Sequence, residues 1–252
     1  MKIKIKKKII EKFIKYASLN GKIETGTIKM HENMLICNIK SGNSIASLNS
    51  LNVSAITEII DADGLSLPIK SMSMLLKVIG TFDEYIFLET QDNLLKLYDE
   101  NRVANIVLAS DDYIDNNITE KLPFEYEKSI KLNSDIFKRT LTNMDIVNGE
   151  TIKVEVKEGF LTVNTGQKGL DNIEEKKKVD YADCFNELGP ISVGVLGILD
   201  GELDVAMKSD YPIRFVMKMD IMETSYYLAP LEAEVEEKQT TQEKPESING
   251  SE

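Results

Sequence analysis

Lys8, Lys12 and Lys15 follow one another at four- and three-residue intervals, the spacing that stacks side chains on one face of a helix. Lys70 and Lys77, and then Lys138 and Arg139, lie in two further stretches with helical patterning. Long cationic side chains so arranged attract phosphate oxygens and read no base sequence. On any single helix such lysines do no more than solvate an exposed face. Three such faces in a chain of net charge −12, with the carboxylates placed elsewhere, set binding to a polyanion beside that ordinary reading.

Other site chemistries have few residues to work with. One histidine, His31, and two cysteines, Cys37 and Cys184, fall short of the roughly four closely spaced ligands of a structural zinc centre, so no metal site is expected. A nucleophilic triad would have to use His31, which sits in the turn-like run Met30-His31-Glu32-Asn33. Both cysteines have apolar neighbours and read as small core residues. Neither a GxxxxGK[ST] loop nor a GxGxxG loop is present, so no nucleotide cofactor is implied. No catalytic set can be assembled, and the expectation is a protein that is not an enzyme.

Length and composition frame the elements that carry those lysines. A chain of 252 residues, 42% hydrophobic, can build a sizeable core without disulfides or metal. No apolar run approaches the roughly 20 residues that cross a bilayer, and Glu11, Lys12 and Lys15 break up any leader-like stretch. A cytoplasmic location with no membrane partner follows as an expectation. Charge is segregated: residues 1–80 carry 12 lysines and 6 acidic residues, whereas the remainder carries 18 basic and 36 acidic. Residues 232–252 combine 7 acidic residues with 2 lysines and little apolar content, the signature of a disordered tail.

A polar, turn-forming stretch at 111–123 divides the rest into near-equal halves, 1–110 and 124–231. The first half reads as helix Lys6–Leu19, strands Ile23–Met30, Met34–Lys40, Ser44–Asn49 and Ala55–Ile60, helix Ile69–Gly80, and strands Tyr85–Thr90, Leu94–Tyr98 and Arg102–Ala109. The second reads as strand Phe124–Leu132, helix Ser134–Val147, strands Ile152–Val156, Phe160–Asn164, Leu170–Lys177 and Asp180–Phe185, helix Ile191–Leu199, and strands Leu203–Lys208, Ile213–Asp220 and Thr224–Leu231. Each half is thus about two helices and eight strands in the same order, an α+β layer with helices on one face of an antiparallel sheet. The fourth helix carries no basic residue.

Two segments then resemble a known family. Tyr226-Tyr227-Leu228-Ala229-Pro230, with Tyr211-Pro212 before the preceding strand, is similar to the C-terminal end of the DNA sliding clamps of the proliferating cell nuclear antigen family. Leu67-Pro68-Ile69-Lys70-Ser71-Met72-Ser73-Met74-Leu75-Leu76-Lys77 resembles that family's helix in the first domain, and 111–123 falls at its interdomain connecting loop. The resemblance implies two similar clamp domains and a closed ring, usually of three identical subunits, around duplex DNA. It also implies partners: a polymerase and other replication or repair proteins, and a clamp loader. It carries DNA-facing roles onto Lys8, Lys12, Lys15, Lys70, Lys77, Lys138 and Arg139.

Subunit contacts by the same resemblance fall on two edge strands, one with Arg102, Val103, Ile106 and Leu108, the other with Leu170, Ile173, Glu175 and Lys177. A partner-peptide pocket would take Ile39, Ser44 and Ile45 from the central loop and Ile118, Leu122 and Pro123 from the connector. Tyr211, Pro212, Leu228, Ala229 and Pro230 would complete it. Where many relatives place a histidine this chain has Ser44, and Ser41-Gly42-Asn43 replaces an Asp-Ser-Ser pattern, a departure that bears on partner choice. Two other readings stay open: a clamp-fold subunit acting as monomer, dimer or member of a mixed ring, and an acidic scaffold whose lysine faces meet a protein. In a eukaryote the location would be nuclear.

Overall fold

The computed structural model describes residues 2–60, 65–110, 113–114, 117–118, 122–166 and 172–231. Chain order is β1 (Lys2–Lys6), α1 (Lys7–Ala17), β2 (Gly26–His31), β3 (Met34–Ser41), β4 (Ile45–Asn52), β5 (Ile56–Ile60), β6 (Ser66–Ile69), α2 (Met72–Gly80), β7 (Tyr85–Gln91), β8 (Leu94–Tyr98) and β9 (Val103–Val107). It continues with β10 (Ile130–Asn133), α3 (Asp135–Val147), β11 (Ile152–Lys157), β12 (Phe160–Gly166), β13 (Asn172–Lys178), β14 (Cys184–Leu188), α4 (Pro190–Leu196), β15 (Glu202–Ala206), β16 (Ile213–Met219) and β17 (Met222–Leu228).

The helices form where apolar side chains recur with the helical period. Ile10, Phe13, Ile14 and Ala17 of α1 are buried, as are Met72, Leu75 and Ile79 of α2 and Ile136 and Phe137 of α3. Ser71 caps α2, its hydroxyl accepting from the Met74 N–H at 3.2 Å. Pro190 starts α4 at a position where a missing N–H costs nothing. Helix α3 ends at Asn148, whose left-handed φ of 50° lets the Gly149 N–H return to the Met144 carbonyl at 3.0 Å.

Among the described residues all strand pairs are antiparallel, and the strands form three sheets. A five-stranded sheet, β5-β1-β7-β8-β9, comes wholly from the first half. A four-stranded sheet, β13-β12-β11-β14, comes wholly from the second. Between them lies an eight-stranded sheet, β10-β15-β16-β17-β4-β3-β2-β6, with four strands from each half. Its seam is β17 on β4, in register from Met222 opposite Leu51 to Leu228 opposite Ile45. One buried cluster runs through both halves beneath the helices, from Ile3 and Phe13 to Phe137, Phe215 and Leu228.

Four expectations shift. Residues 2–6 form strand β1, because Ile3 and Ile5 alternate inward between the lysines, and the helix starts only at Lys7. Short β6 joins the sheet edge, giving the first half nine strands. The strand expected over 124–132 exists only as β10, because the chain before it lies across the sheet instead of pairing. The strand expected over 180–185 begins at Cys184, where pairing with Val156 of β11 sets in.

Candidate nucleic-acid interface

Helix α1 crosses the middle of the eight-stranded sheet and contacts β3, β4 and β17, while α2 packs beside it. Lys7 ties the pair together, its ammonium donating to the Gly80 and Phe82 carbonyls at the end of α2, 2.8 Å each. At its other end α1 meets the second half. The Tyr226 hydroxyl of β17 donates to the Tyr16 carbonyl at 2.9 Å in a wholly buried setting.

Cations from both halves converge just beyond that contact. Lys138 of α3 donates to Asp200, which follows α4, at 3.0 Å. The Asp200 carboxyl is held below its ordinary value first by that hydrogen bond, with the Lys138 and Lys12 charges adding to it. Lys12 lies exposed on α1, its ammonium 5.7 Å from the Tyr16 ring. Lys77 helps hold Glu24 below the usual carboxylate range, after the hydroxyls of Ser73 and Ser71.

The remaining cations are placed differently. Lys8 and Lys15 lie exposed on α1. Arg139 is tied to Glu175 of β13 at 3.2 Å. Lys70 is corrected: it precedes the Ser71 cap and so lies off the helix, its ammonium 5.8 Å from the Tyr113 ring in the connector stretch.

One further cation had no helical signal to find it by: Lys22, which follows a tight turn through Leu19, Asn20 and Gly21, all at positive φ. Gly21 is needed there, because its φ is +82° and a Cβ would stand 3.1 Å from the Ser73 Cβ. The turn sends the Lys22 ammonium across to the Gly194 carbonyl of α4 at 3.3 Å. The fourth helix, without a basic residue of its own, thus receives one from the first half.

No family model and no curated protein matches the sequence. Solved structures do match. The chain is similar to A. fulgidus PCNA with the C-terminal region of FEN-1 bound, at TM-score 0.79 and 12% identity over 92% of this chain and 99% of that one. It is similar to the proliferating cellular nuclear antigen of Entamoeba histolytica at 0.72 and 13%, over 91% and 98%. A PCNA2–PCNA3 complex from Sulfolobus tokodaii gives 0.69 and 16%, over 92% and 99%. The fold is that of these PCNA structures.

Within the clamp fold, β9 and β13 are the edges of their sheets. Val103 and Val107 of β9 are 63% and 52% exposed, whereas Ile106 and Leu108 point into the core, Leu108 lying past the strand end. Arg102 precedes the strand and pairs with Asp83 at 3.7 Å. On β13, Glu175 is engaged with Arg139 and Lys177 donates to the Lys131 carbonyl at 3.3 Å, so both are held by their own chain. Ile173 is half-buried, and Leu170 lies outside the described residues.

Asn117 and Ile118, described residues of the connector, lie against β2 and β3, Asn117 forming an antiparallel bridge with Ile39. Asn117 and Thr27 bond reciprocally, the Thr27 N–H to Oδ1 at 3.0 Å and the Asn117 Nδ2 to the Thr27 hydroxyl at 2.7 Å. The Ile118 N–H donates to the Asn38 carbonyl at 2.9 Å. Leu122 is half-buried and Pro123 exposed. Beyond them Phe124 packs on Tyr211 and Tyr227, each ring centroid 6.1 Å away. A cavity of about 490 Å³ lies on this face, bordered by Asn38, Leu48, Ser129, Arg214 and Tyr227.

Of the expected peptide-pocket residues, Ile39, Ile45 and Leu228 are core residues at 5% exposure or less, because their strand positions alternate toward the helices. Ser44, Tyr211, Pro212, Ala229 and Pro230 keep partial exposure beside them, with the Ala229 N–H on the Ser44 carbonyl at 2.8 Å. Phe124, which sequence reading took for part of a strand, joins this surface.

Burial pushes the Cys37 thiol up to about 12, leaving it a neutral core group. Among the described residues no group of three His, Cys, Asp or Glu side chains is placed to hold a metal ion.

Proposed function

We propose that the chain is a DNA sliding clamp, a processivity factor that encloses duplex DNA and tethers a polymerase and other replication or repair proteins. The observation that carries this reading is the PCNA-like fold with lysines exposed on helices of both halves, Lys8, Lys12, Lys15 and Lys77 in the first and Lys138 in the second. A clamp must hold the duplex without pinning it, and mobile ammoniums directed at phosphates do that, whereas base contacts would not. Asp200 keeps the Lys138 ammonium local, and that pair is exposed enough for a phosphate to take over the cation.

Ring closure would pair β9 of one subunit with β13 of the next, covering the exposed Val103 and Val107. Partner proteins would dock on the outer face around Phe124, Tyr211 and Pro230, under a connector pinned by Asn117. The role asks no catalysis of the chain.

Light scattering of the purified protein tests the assembly: about three times 28.4 kDa is expected for a homotrimer. Retention on circular but not linear duplex after loading tests enclosure. A monomeric mass with retention only in the presence of a second clamp subunit would favour the mixed-ring reading, for which the absence of basic residues on α4 speaks.

A further inference from the structure

The five-stranded sheet turns one face to the helices and the other to solvent, and the solvent face is unusual in composition. Ile3, Ile5, Ile86, Leu88, Leu95 and Leu97 point inward. The alternate positions place Tyr85 and Phe87 on β7 and Tyr98 on β8, flanked by Lys2, Lys4 and Lys6 on β1 and Lys96 on β8. In register, one row across the sheet reads Glu58, Lys4, Phe87, Tyr98, Val103, and the next reads Lys2, Glu89, Lys96, Asn105.

Phe87 and Tyr98 stack with centroids 5.0 Å apart and planes 15° from parallel. The Lys2 ammonium lies 4.6 Å from the Phe87 ring, Lys4 lies 5.1 Å from Phe87 and 5.3 Å from Tyr85, and Lys96 lies 4.9 Å from Tyr98. Among the described residues, three partly exposed rings on two adjacent strands are thus interleaved with four cations, against two carboxylates, Glu58 and Glu89. None of these residues belongs to the helical face.

We propose that this outer sheet face is a binding platform for single-stranded nucleic acid, the rings stacking bases and the lysines taking the phosphates. Rings on neighbouring strands of an open sheet stack two or three bases of a single strand in other proteins, and every base offers the π-face this requires. Ring positions two residues apart on β7 repeat about every 7 Å along the strand. A duplex keeps its bases inside and cannot use the rings. An acidic peptide would meet the lysines but would leave the rings idle and press against Glu58 and Glu89.

The present partners of the rings are no obstacle. An ammonium over an exposed ring is held more weakly than a base stacked on it. A base arriving on Phe87 therefore displaces Lys2 or Lys4, and a lysine stem is long enough to follow the phosphate. The proposal stands apart from the clamp reading, since a chain that formed no ring would still carry this face.

The test is fluorescence anisotropy with a short labelled oligothymidylate and the full chain carrying Lys12→Glu and Lys77→Glu, which lessens the contribution of the helical face to the readout. Binding is expected, weakened at least about tenfold by Phe87→Leu with Tyr98→Leu, which preserves apolar bulk and fold but removes the π-faces. Phe87→Tyr is expected to retain binding. Changing Lys2, Lys4 and Lys96 to Gln should lower the slope of log K against log salt by about two. No binding, or binding indifferent to the leucine pair, overturns the proposal. So does competition by polyglutamate that matches unlabelled oligothymidylate, since that marks a surface for acidic peptides.

Discussion

The Tyr226 hydroxyl reaches across 210 residues of sequence to the Tyr16 carbonyl, 2.9 Å away, and joins the last strand of the fold to the end of its first helix. Because Tyr226 is fully buried, Tyr226→Phe removes one hydrogen bond and little else. A loss of about 1 kcal/mol is expected, read as a fall of roughly 2–4 °C in melting temperature. An unchanged melting curve would show that the contact contributes nothing.

The same burial gives a pH dependence. Tyr226, Tyr126, Tyr181 and Tyr16 are all raised above the ordinary tyrosine value of 10.0, chiefly by desolvation. A raised acid stays neutral in the fold while the unfolded chain ionises, so the tyrosine contribution is intact below about pH 10 and is lost above it, following that of the raised Cys37 and Cys184 thiols, which starts to go near their ordinary value of 9.0. On the acid side Glu24, Asp99 and Asp200 are lowered, so their contribution is present above about pH 4 and is lost as pH falls further. Denaturant melts across pH are expected to trace a plateau with both flanks falling, and Tyr226→Phe should flatten the alkaline one.

Charge reversal at Lys12 and Lys77 should leave the fold within about 0.5 kcal/mol, since both side chains are exposed. DNA retention is expected to fail while the solution mass stays the same. The salt slope of residual binding should fall by about two. Undiminished processivity in a polymerase assay would remove these helices from the interface.

The β9 edge gives an assembly test. Val103→Lys with Val107→Lys places charge where 63% and 52% exposure leaves the monomer indifferent. A mass near 28.4 kDa with an unchanged melting temperature is the expected result. Persistence of the larger species would place the joint elsewhere.

Asn117→Ala removes both bonds to Thr27. Faster amide exchange at Ile118, whose N–H is held by Asn38, is expected, with the central sheet unaffected. Unaltered protection would mean that the connector is held by other contacts.

How much of this was legible in sequence follows physical lines. Helical periodicity revealed α1, α2 and α3, because Ile10, Phe13 and Ile14 or Ile136 and Phe137 report burial directly. Strand β1 was hidden, since Lys2, Lys4 and Lys6 mask an alternation of only two isoleucines. The clamp resemblance rested on Tyr226–Pro230 and the α2 stretch, and the fold agrees with it. What could not be read were contacts decided by tertiary approach. Lys22 reaches Gly194 only because a turn at positive φ aims it, and Ile39 turns inward by strand parity that the loop-like Ser41-Gly42-Asn43 obscures. The eight-stranded sheet was equally unreadable, because β17 and β4 are far apart in the chain and neither carries a mark naming the other.

That seam has a consequence during synthesis. β4 finds its neighbour only when residues 222–228 have been made, so the first half emerges from the ribosome with one flank of its middle layer open. Until the closing strand arrives, the backbone groups of residues 45–52 on that flank are open to pairing with another chain.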